Sequence, residues 1–248
     1  MTTYAIGDIH GHIDLLRRVH DLIADDQARH GAASVVHVGD LVDRGPDCRG
    51  VVEYLRAGMA AGEPWIVLKG NHDRMFTRFL DDPWEPEDGL RSDLSWLHPN
   101  LGGGATLASY GVRNASDRPM KPVHAEALLA VPPEHRSFLK ALPAMHRTND
   151  AVFVHAGIRP GIMLDQQTET DLVWIREPFL SDTRDHGALI VHGHTALNAA
   201  NHHGNRLNID SGAAYGGPLT AVVLEGDCVF HLTDRGRVSL WPELATPR

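Results

Sequence analysis

A chain of 248 residues is too long for a mini-protein and about right for one large α/β domain. Its hydrophobic content of 42% is that of a soluble globular protein, and no apolar run is long enough to span a bilayer. The formal net charge of −9 argues against bulk electrostatic binding of nucleic acid, but it leaves room for an anionic substrate at a site where bound cations reverse the local field.

The N-terminus, Met1-Thr2-Thr3-Tyr4, lacks the basic region of a signal peptide. Cys48 and Cys228 form no Cys-x-x-Cys motif and are expected to be reduced thiols in a cytoplasmic protein, with neither a membrane nor a nucleic acid as stable partner. Thr3 to Ile6, ended by Gly7, reads as a short buried strand. His12 to Arg29 places Ile13, Leu16, Val19 and Ile23 at helical spacing, with Gly31 as a C-terminal stop. Ser34 to Val38 is a second strand, Cys48 to Ala61 a helix introduced by Pro46, and Trp65 to Lys69 a third strand. The alternation predicts parallel strands with right-handed crossovers.

Residues 81–122 break this pattern. Trp84, Pro86, Trp96, Pro99 and Gly102-Gly103-Gly104 occur there with little periodicity, which predicts a helix-loop insertion over the sheet edge, forming a wall of the substrate cleft. Ala151 to Val154 and Ala188 to Val191 are two further strands. Arg206 to Ile209, Leu219 to Glu225 and Cys228 to Leu232 follow, with the last two joined as a hairpin at Gly226-Asp227. There is no internal repeat and no clear linker, so one domain over residues 1–248 is expected, with its insertion at about 81–122.

Polar motifs stand at the ends of five strands: Gly7-Asp8-Ile9-His10-Gly11, Gly39-Asp40-Leu41-Val42-Asp43-Arg44-Gly45, Gly70-Asn71-His72-Asp73, His155-Ala156-Gly157 and Gly193-His194-Thr195. In open α/β sheets the site lies beyond the carboxyl ends of the strands, so topology alone brings Asp8, His10, Asp40 and Asn71 to one edge. Asp8 and His10, two residues apart in an extended segment, can grip one cation. Asp40 can bridge two cations with its two oxygens, Asn71 offers an amide oxygen, and His155 and His194 can complete the second cation. Mixed carboxylate and imidazole donors suit Mn2+, Fe or Zn2+ better than Ca2+ or Mg2+. Two such cations outweigh the charges of two aspartates and a bridging hydroxide, so phosphate is drawn in, and a water between them can ionise near neutral pH. Asp43 and His72 are not needed as ligands. They read better as a pair in which Asp43 orients His72 and His72 protonates the leaving-group oxygen. Arg44 and Arg176 are cations of a shape suited to phosphate oxygens.

Several residues admit two readings. His192 and His194 lie on one strand face, and His194 is the preferred ligand because it follows the strand end. Arg159 is read as a salt-bridge partner ahead of a substrate contact. Tyr215 is a core aromatic or a substrate contact near Asp210-Ser211-Gly212, while Trp84 and Trp96 read as core of the insertion ahead of a substrate platform. His124, His135, His146, His202 and His203 are expected to be solvated.

These motifs resemble the PPP-type serine/threonine phosphatases of the calcineurin-like metallophosphoesterase superfamily, from residue 7 to about residue 216. Trp174-Ile-Arg-Glu and Asn208-Ile-Asp-Ser-Gly-Ala are similar to bacterial and phage-type members. The resemblance implies an α/β fold of four layers, two central mixed β-sheets flanked by helices, and a di-Mn2+ or mixed-metal centre. It implies hydrolysis of phosphomonoesters by direct attack of a metal-bridging hydroxide. Asp8 and His10 match ligands of the first metal, Asp40 the bridging ligand, and Asn71, His155 and His194 ligands of the second. His72 matches the general acid with Asp43 its partner, and Arg44 and Arg176 match phosphate binders. Eukaryotic members usually read Gly-Asn-His-Glu and His-Gly-Gly where this chain has Asp73 and Ala156. The expected substrate is a phosphorylated protein or small phosphoester bound by Arg44, Arg176, Asn71 and Tyr215. The alternative is a bis(5'-nucleosyl)-tetraphosphatase-like hydrolase of dinucleoside polyphosphates. A binding module that keeps the fold without catalysis is disfavoured, because all six ligands and the acid are present.

Overall fold

The computed structural model describes residues 1–242. The first half of the chain runs β1 (Thr2–Ile6), α1 (Ile13–His30), β2 (Ser34–His37), α2 (Cys48–Ala60), β3 (Trp65–Val67) and α3 (Asn71–Asp81), then α4 (Gly103–Ser109), α5 (Met120–Ala130) and α6 (Pro133–Ala141). The second half runs β4 (Met145–Arg147), β5 (Ala151–Val154), α7 (Glu169–Trp174), β6 (Leu189–His192), β7 (Asn201–His202) and β8 (Arg206–Asn208), then β9 (Ala221–Glu225), β10 (Cys228–Thr233) and β11 (Gly236–Ser239).

One sheet has the order β11-β10-β9-β1-β2-β3 and the other β4-β5-β6-β8-β7. The pairs β1–β2 and β2–β3 are parallel, as the strand-helix alternation predicts, whereas β9 runs antiparallel to β1 and forms the hairpin with β10. In the second sheet β5–β6 and β6–β8 are parallel, with β4 and β7 antiparallel at the edges. Both sheets are therefore mixed.

Strand pleating assigns alternate residues to different layers. Ala5, Val36 and Val38 of the first sheet meet Phe153, Val191, Leu207 and Ile209 of the second in a dry layer between them. The other face of the first sheet, including Tyr4, Ile6 and Val35, packs on the apolar stripe Ile13, Leu16, Val19 and Ile23 of α1 and on the other helices of the first half. The outer face of the second sheet, Val152, Val154 and Ile190, is covered by Leu172, Val173 and Ile175 in and after α7, and by Phe179. The order helices, sheet, sheet, helix and loops gives four layers. Because β1, β2 and β3 run parallel beside β5 and β6, the tips of all five strands reach one rim. Among the described residues no helix is long and apolar enough to cross a membrane. Cys48 is buried, Cys228 is exposed and both are free; burial pushes the Cys48 thiol up to about 12.

Expectation and structure part at three residues, Trp84, His135 and His202, and the structure adds detail to the insertion. Residues 82–102 contain only turns, and the regular part of the insertion begins at α4. Helices α5 and α6 were not legible: α5 leaves Leu129 exposed beside buried Val123 and Ala127, which blurs its stripe, and α6 announces itself only by Pro133 in its first turn. Trp84 is 70% exposed and not core, whereas Trp96 is buried against Phe76 and Phe79. His135 is buried between the Tyr110 hydroxyl and Glu53, each at 2.8 Å, and His202 is buried as well, so neither is solvated.

One buried cluster makes stability depend on pH. Tyr54 donates its hydroxyl to His20 Nδ1 (3.3 Å), and His20 Nε2 meets His37 Nε2 at 2.9 Å. His37 Nδ1 reaches the Ile66 carbonyl at 3.3 Å, so its Nε2 accepts from His20. Burial pushes His20 down to about 4 and His37 down to about 3. Below an unfolded value of 6.5 the unfolded chain binds protons that the folded chain refuses, so stability is lost as pH falls from there toward 3. We expect the urea-unfolding free energy to decline through this window by about 1.4 kcal/mol per pH unit for each such proton, and the decline to be shallower in His37→Asn. Equal slopes for the two proteins would contradict this account.

Candidate active site

The five motifs occupy the turns that leave the strands. Among the described residues, six non-glycine residues adopt positive φ, and five lie in these turns: His10 (44°), Asp40 (50°), Asp43 (73°), Arg44 (69°) and His194 (65°). Each left-handed residue costs roughly 1–3 kcal/mol and persists only where its surroundings over-determine it. The turns brace one another. The amides of Ile9 and His10 donate to the Asp40 carbonyl at 3.1 and 2.8 Å, and the His194 amide donates to Asp8 Oδ2 at 2.9 Å. Asp73 accepts from the amides of Leu41 (3.0 Å) and Gly70 (2.8 Å), joining the second motif to the third.

Asp40 stands at the centre. Its Oδ2 lies 3.3 Å from His10 Nε2 and its Oδ1 lies 3.4 Å from His155 Nε2, so its two oxygens face two different imidazoles. Asn71 Oδ1 lies 2.8 Å from His155 Nε2 and 3.0 Å from His194 Nδ1. Backbone carbonyls orient two of the rings: His10 Nδ1 is held by Val42 O at 2.8 Å and His155 Nδ1 by Val38 O at 3.0 Å. Both therefore turn Nε2 into the site, the arrangement usual for a ligating histidine. The ligand atoms of Asp8, Asp40 and His155 lie within 4.8 Å of one another, and so do those of His10, Asp40 and His72.

The electrostatics fit a cation pair. Burial, then the carboxylates of Asp210 and Asp40, push the Asp8 carboxyl well above its usual range. Burial also raises Asp40, but the His155, His72 and His10 imidazoles outweigh it and hold that carboxyl well below the usual range. Burial and the neighbouring His155 and Arg176 push His194 down, so its ring is neutral. Asp8 Oδ1 is buried without a hydrogen-bond partner, a lone pair that a metal ion would satisfy. This donor set, carboxylate, imidazole and amide oxygen, suits divalent transition metals.

A cleft of about 390 Å³ opens over the cluster, lined by Asp8, His10, Asp40, Arg44, Asn71 and His72 on its floor. Arg176, His194, Asp210 and Tyr215 line it as well, and Gly89, Leu90, Arg91, Leu94 and Leu101 of the insertion form one wall. Arg44 donates to His10 Nε2 at 2.8 Å, and its guanidinium lies 5.3 Å from the centre of the Tyr215 ring. Tyr215 is 70% exposed, so it is not a core aromatic. His72 Nδ1 meets Asp43 Oδ2 at 2.6 Å, with Asp43 wholly buried behind it.

His192 is excluded from the cluster. It is buried, its Nδ1 bonds to Gly193 O at 3.0 Å, and its ring packs on Phe179. Arg159 pairs with Asp171, Nε to Oδ2 at 2.9 Å, away from the cleft. Asp210 and Thr195 also line the cleft, although neither had been assigned a part in it, and no local pattern marked Glu87 as the anchor of the insertion. Glu87 accepts from Arg74 Nε and Trp174 Nε1, each at 2.9 Å, and its mixed partners on α3 and α7 are not signalled by any local pattern. Asp210 was within reach, because it follows β8 as the other site aspartates follow their strands.

Glycine at 193 is required by close approach: a Cβ there would lie 1.8 Å from Asp8 Oδ1. We expect Gly193→Ala to displace Asp8 and to lower the divalent-metal content of the purified protein, read by elemental analysis, while the urea midpoint changes less. Undiminished metal content would show that Asp8 is not needed to hold it.

Comparison with known proteins agrees with this geometry. The family model described as calcineurin-like phosphoesterase matches residues 1–226. Serine/threonine-protein phosphatase 1 of Salmonella typhimurium (strain LT2) is 30% identical over 227 residues, 88% of this chain and 89% of that one. A symmetrical bis(5'-nucleosyl)-tetraphosphatase of Legionella pneumophila (strain Corby) is 37% identical over 96 residues, 38% of this chain but 33% of its own length. A crystal structure described as a putative diadenosine tetraphosphatase superposes with a TM-score of 0.64 at 23% identity, covering 97% of this chain and 94% of the other, and shares the fold. A strand-tip cluster of this composition on this fold, matched by a family model over nearly the whole chain, shows that the protein belongs to the calcineurin-like phosphoesterase family.

Proposed function

We propose that the protein hydrolyses phosphomonoesters, with serine/threonine phosphoproteins as substrates, at two divalent cations held by Asp8, His10, Asp40, Asn71, His155 and His194. Mn2+ suits these donors, with Fe or Zn2+ as other occupants. When bound, the cations supply Lewis acidity toward phosphoryl oxygens and lower the pKa of a coordinated water. Arg44 and Arg176 on the cleft wall hold the phosphate, and Asn71 and Tyr215 border the substrate. His72 faces the cleft with Nε2 and gives its proton to the departing oxygen, while Asp43 keeps Nδ1 protonated and the ring in place.

The 2.6 Å contact between His72 and Asp43 carries this reading. A serine or threonine alkoxide is a strongly basic leaving group and departs readily only if protonated. A nucleotide leaving a polyphosphate chain is weakly basic and gains little from an acid. A buried, oriented imidazole on the cleft floor therefore favours alkyl phosphates. The Salmonella relative, matched over most of its length, supports the same substrate class. Dinucleoside polyphosphate is the second reading, favoured by exposed Tyr215 beneath Arg44, a surface on which a base could stack.

Two outcomes are expected. His72→Asn keeps its metals and loses ~10²–10⁴-fold in kcat on a phosphoserine peptide, with a smaller loss on p-nitrophenyl phosphate, whose leaving group needs no proton; equal losses on both would remove the acid role. The wild-type protein gives a higher kcat/KM on the phosphoserine peptide than on diadenosine tetraphosphate, and the reverse order would transfer the substrate assignment to the polyphosphate.

A further inference from the structure

Asp43 receives more than His72. Trp96 Nε1 donates to Asp43 Oδ2 at 2.8 Å, and Thr106 Oγ1 donates to Asp43 Oδ1 at 2.6 Å. The Thr106 hydroxyl also accepts from the Asp43 amide at 2.9 Å, so it closes a ring on that one residue. The next amide, of Arg44, donates to the Gly102 carbonyl at 3.4 Å. Asp43 and Arg44 are consecutive residues with φ of 73° and 69°, and the insertion thus accepts both of their amide hydrogens. Trp96, Gly102 and Thr106 all come from the stretch in which the sequence shows little periodicity.

Packing alone does not explain Trp96. Its ring stacks on Phe76 at 5.2 Å and lies 4.7 Å from Phe79, a role that a phenyl ring would fill. The indole adds a donor aimed at a buried carboxylate, and a buried indole N–H needs such a partner. Hydrogen bonds to an ionised acceptor are roughly twice as strong as neutral ones, and one on each oxygen, from Trp96 to Oδ2 and from Thr106 to Oδ1, fixes the plane of the carboxylate and with it the Oδ2 lone pair that His72 meets.

We propose that Trp96 and Thr106 are positioning residues for proton donation. The insertion locks the Asp43 carboxylate, and through it the His72 ring, so that Nε2 points at the leaving oxygen. The inference depends on His72 being the donor. It assigns the 81–122 segment a part in catalysis beyond forming a wall.

The test compares Trp96→Phe, Thr106→Val and Thr106→Ser in the metal-loaded, full-length protein, alone and combined with His72→Asn. Trp96→Phe and Thr106→Val are expected to lower kcat about tenfold on a phosphoserine peptide and far less on p-nitrophenyl phosphate, with KM and metal content unchanged. Thr106→Ser, which keeps the hydroxyl, restores the rate. In the His72→Asn background neither variant lowers the rate further. The low-field NMR signal of the His72 Nδ1 proton, read without substrate, is expected to exchange faster in both loss variants. Losses equal across the two substrates, or undiminished in the His72→Asn background, would overturn the proposal. If His72→Asn shows the leaving-group dependence and Trp96→Phe and Thr106→Val do not, the positioning role alone fails. If His72→Asn shows none, the acid assignment fails and this inference with it. Should Trp96→Phe not fold, the Thr106 pair carries the same comparison.

Discussion

The site depends on the placement of one buried carboxylate at the tip of β2. Asp40 adopts a left-handed backbone, and its carbonyl accepts the amides of Ile9 and His10 from the first motif. Its Oδ1 accepts the amide of His72 at 3.0 Å and faces His155, while Oδ2 faces His10. One residue thereby ties four motifs together through both main chain and side chain. Its charge is kept in a dry place by surrounding imidazoles, so the negative pole of the cluster is built into the protein itself. Gly70 belongs to the same constraint, because a Cβ there would stand 2.1 Å from Asp40 Oδ1.

Strain at five residues in three turns needs a rigid base, and the two sheets provide it. The layer between them is made of side chains that are almost wholly buried, and close-packed interiors of this kind transmit small displacements. Val38 shows the coupling directly: its side chain belongs to the inter-sheet core, its carbonyl holds His155 Nδ1, and two residues later the chain reaches Asp40. Core packing and ring orientation are set by the same residue.

The insertion completes the site from outside. Buried Glu87 links Arg74 on α3 to Trp174 at the end of α7, and so fixes the insertion across both halves of the molecule. Trp174 in turn lies 5.9 Å from the His194 ring. Trp96 and Thr106 of the same insertion reach Asp43. The wall of the cleft and the support of the His72–Asp43 pair are thus one piece of chain.

The strands and the motifs were legible because both signals are local. A run such as Ala151 to Val154 is buried on both faces and therefore apolar throughout, and a polar cluster that follows it at once marks a strand tip. Parallel topology then carried Asp8, His10, Asp40 and Asn71 to one rim without coordinates. Helices α5 and α6 and the three-residue strand β4 were not legible, because their stability comes from partners distant in the chain rather than from their own periodicity. By itself the sequence determined which side chains are available for the chemistry and which strand carries each of them. Only the tertiary structure decided that His192 turns away toward Phe179 while His194 turns to Asn71, and that Tyr215 is exposed. It alone decided that Trp96 and Thr106 close on Asp43. The physical reason is that a hydrogen bond between residues 53 or 63 positions apart leaves no trace in local composition. Such bonds are set by how two packed layers bring their edges together.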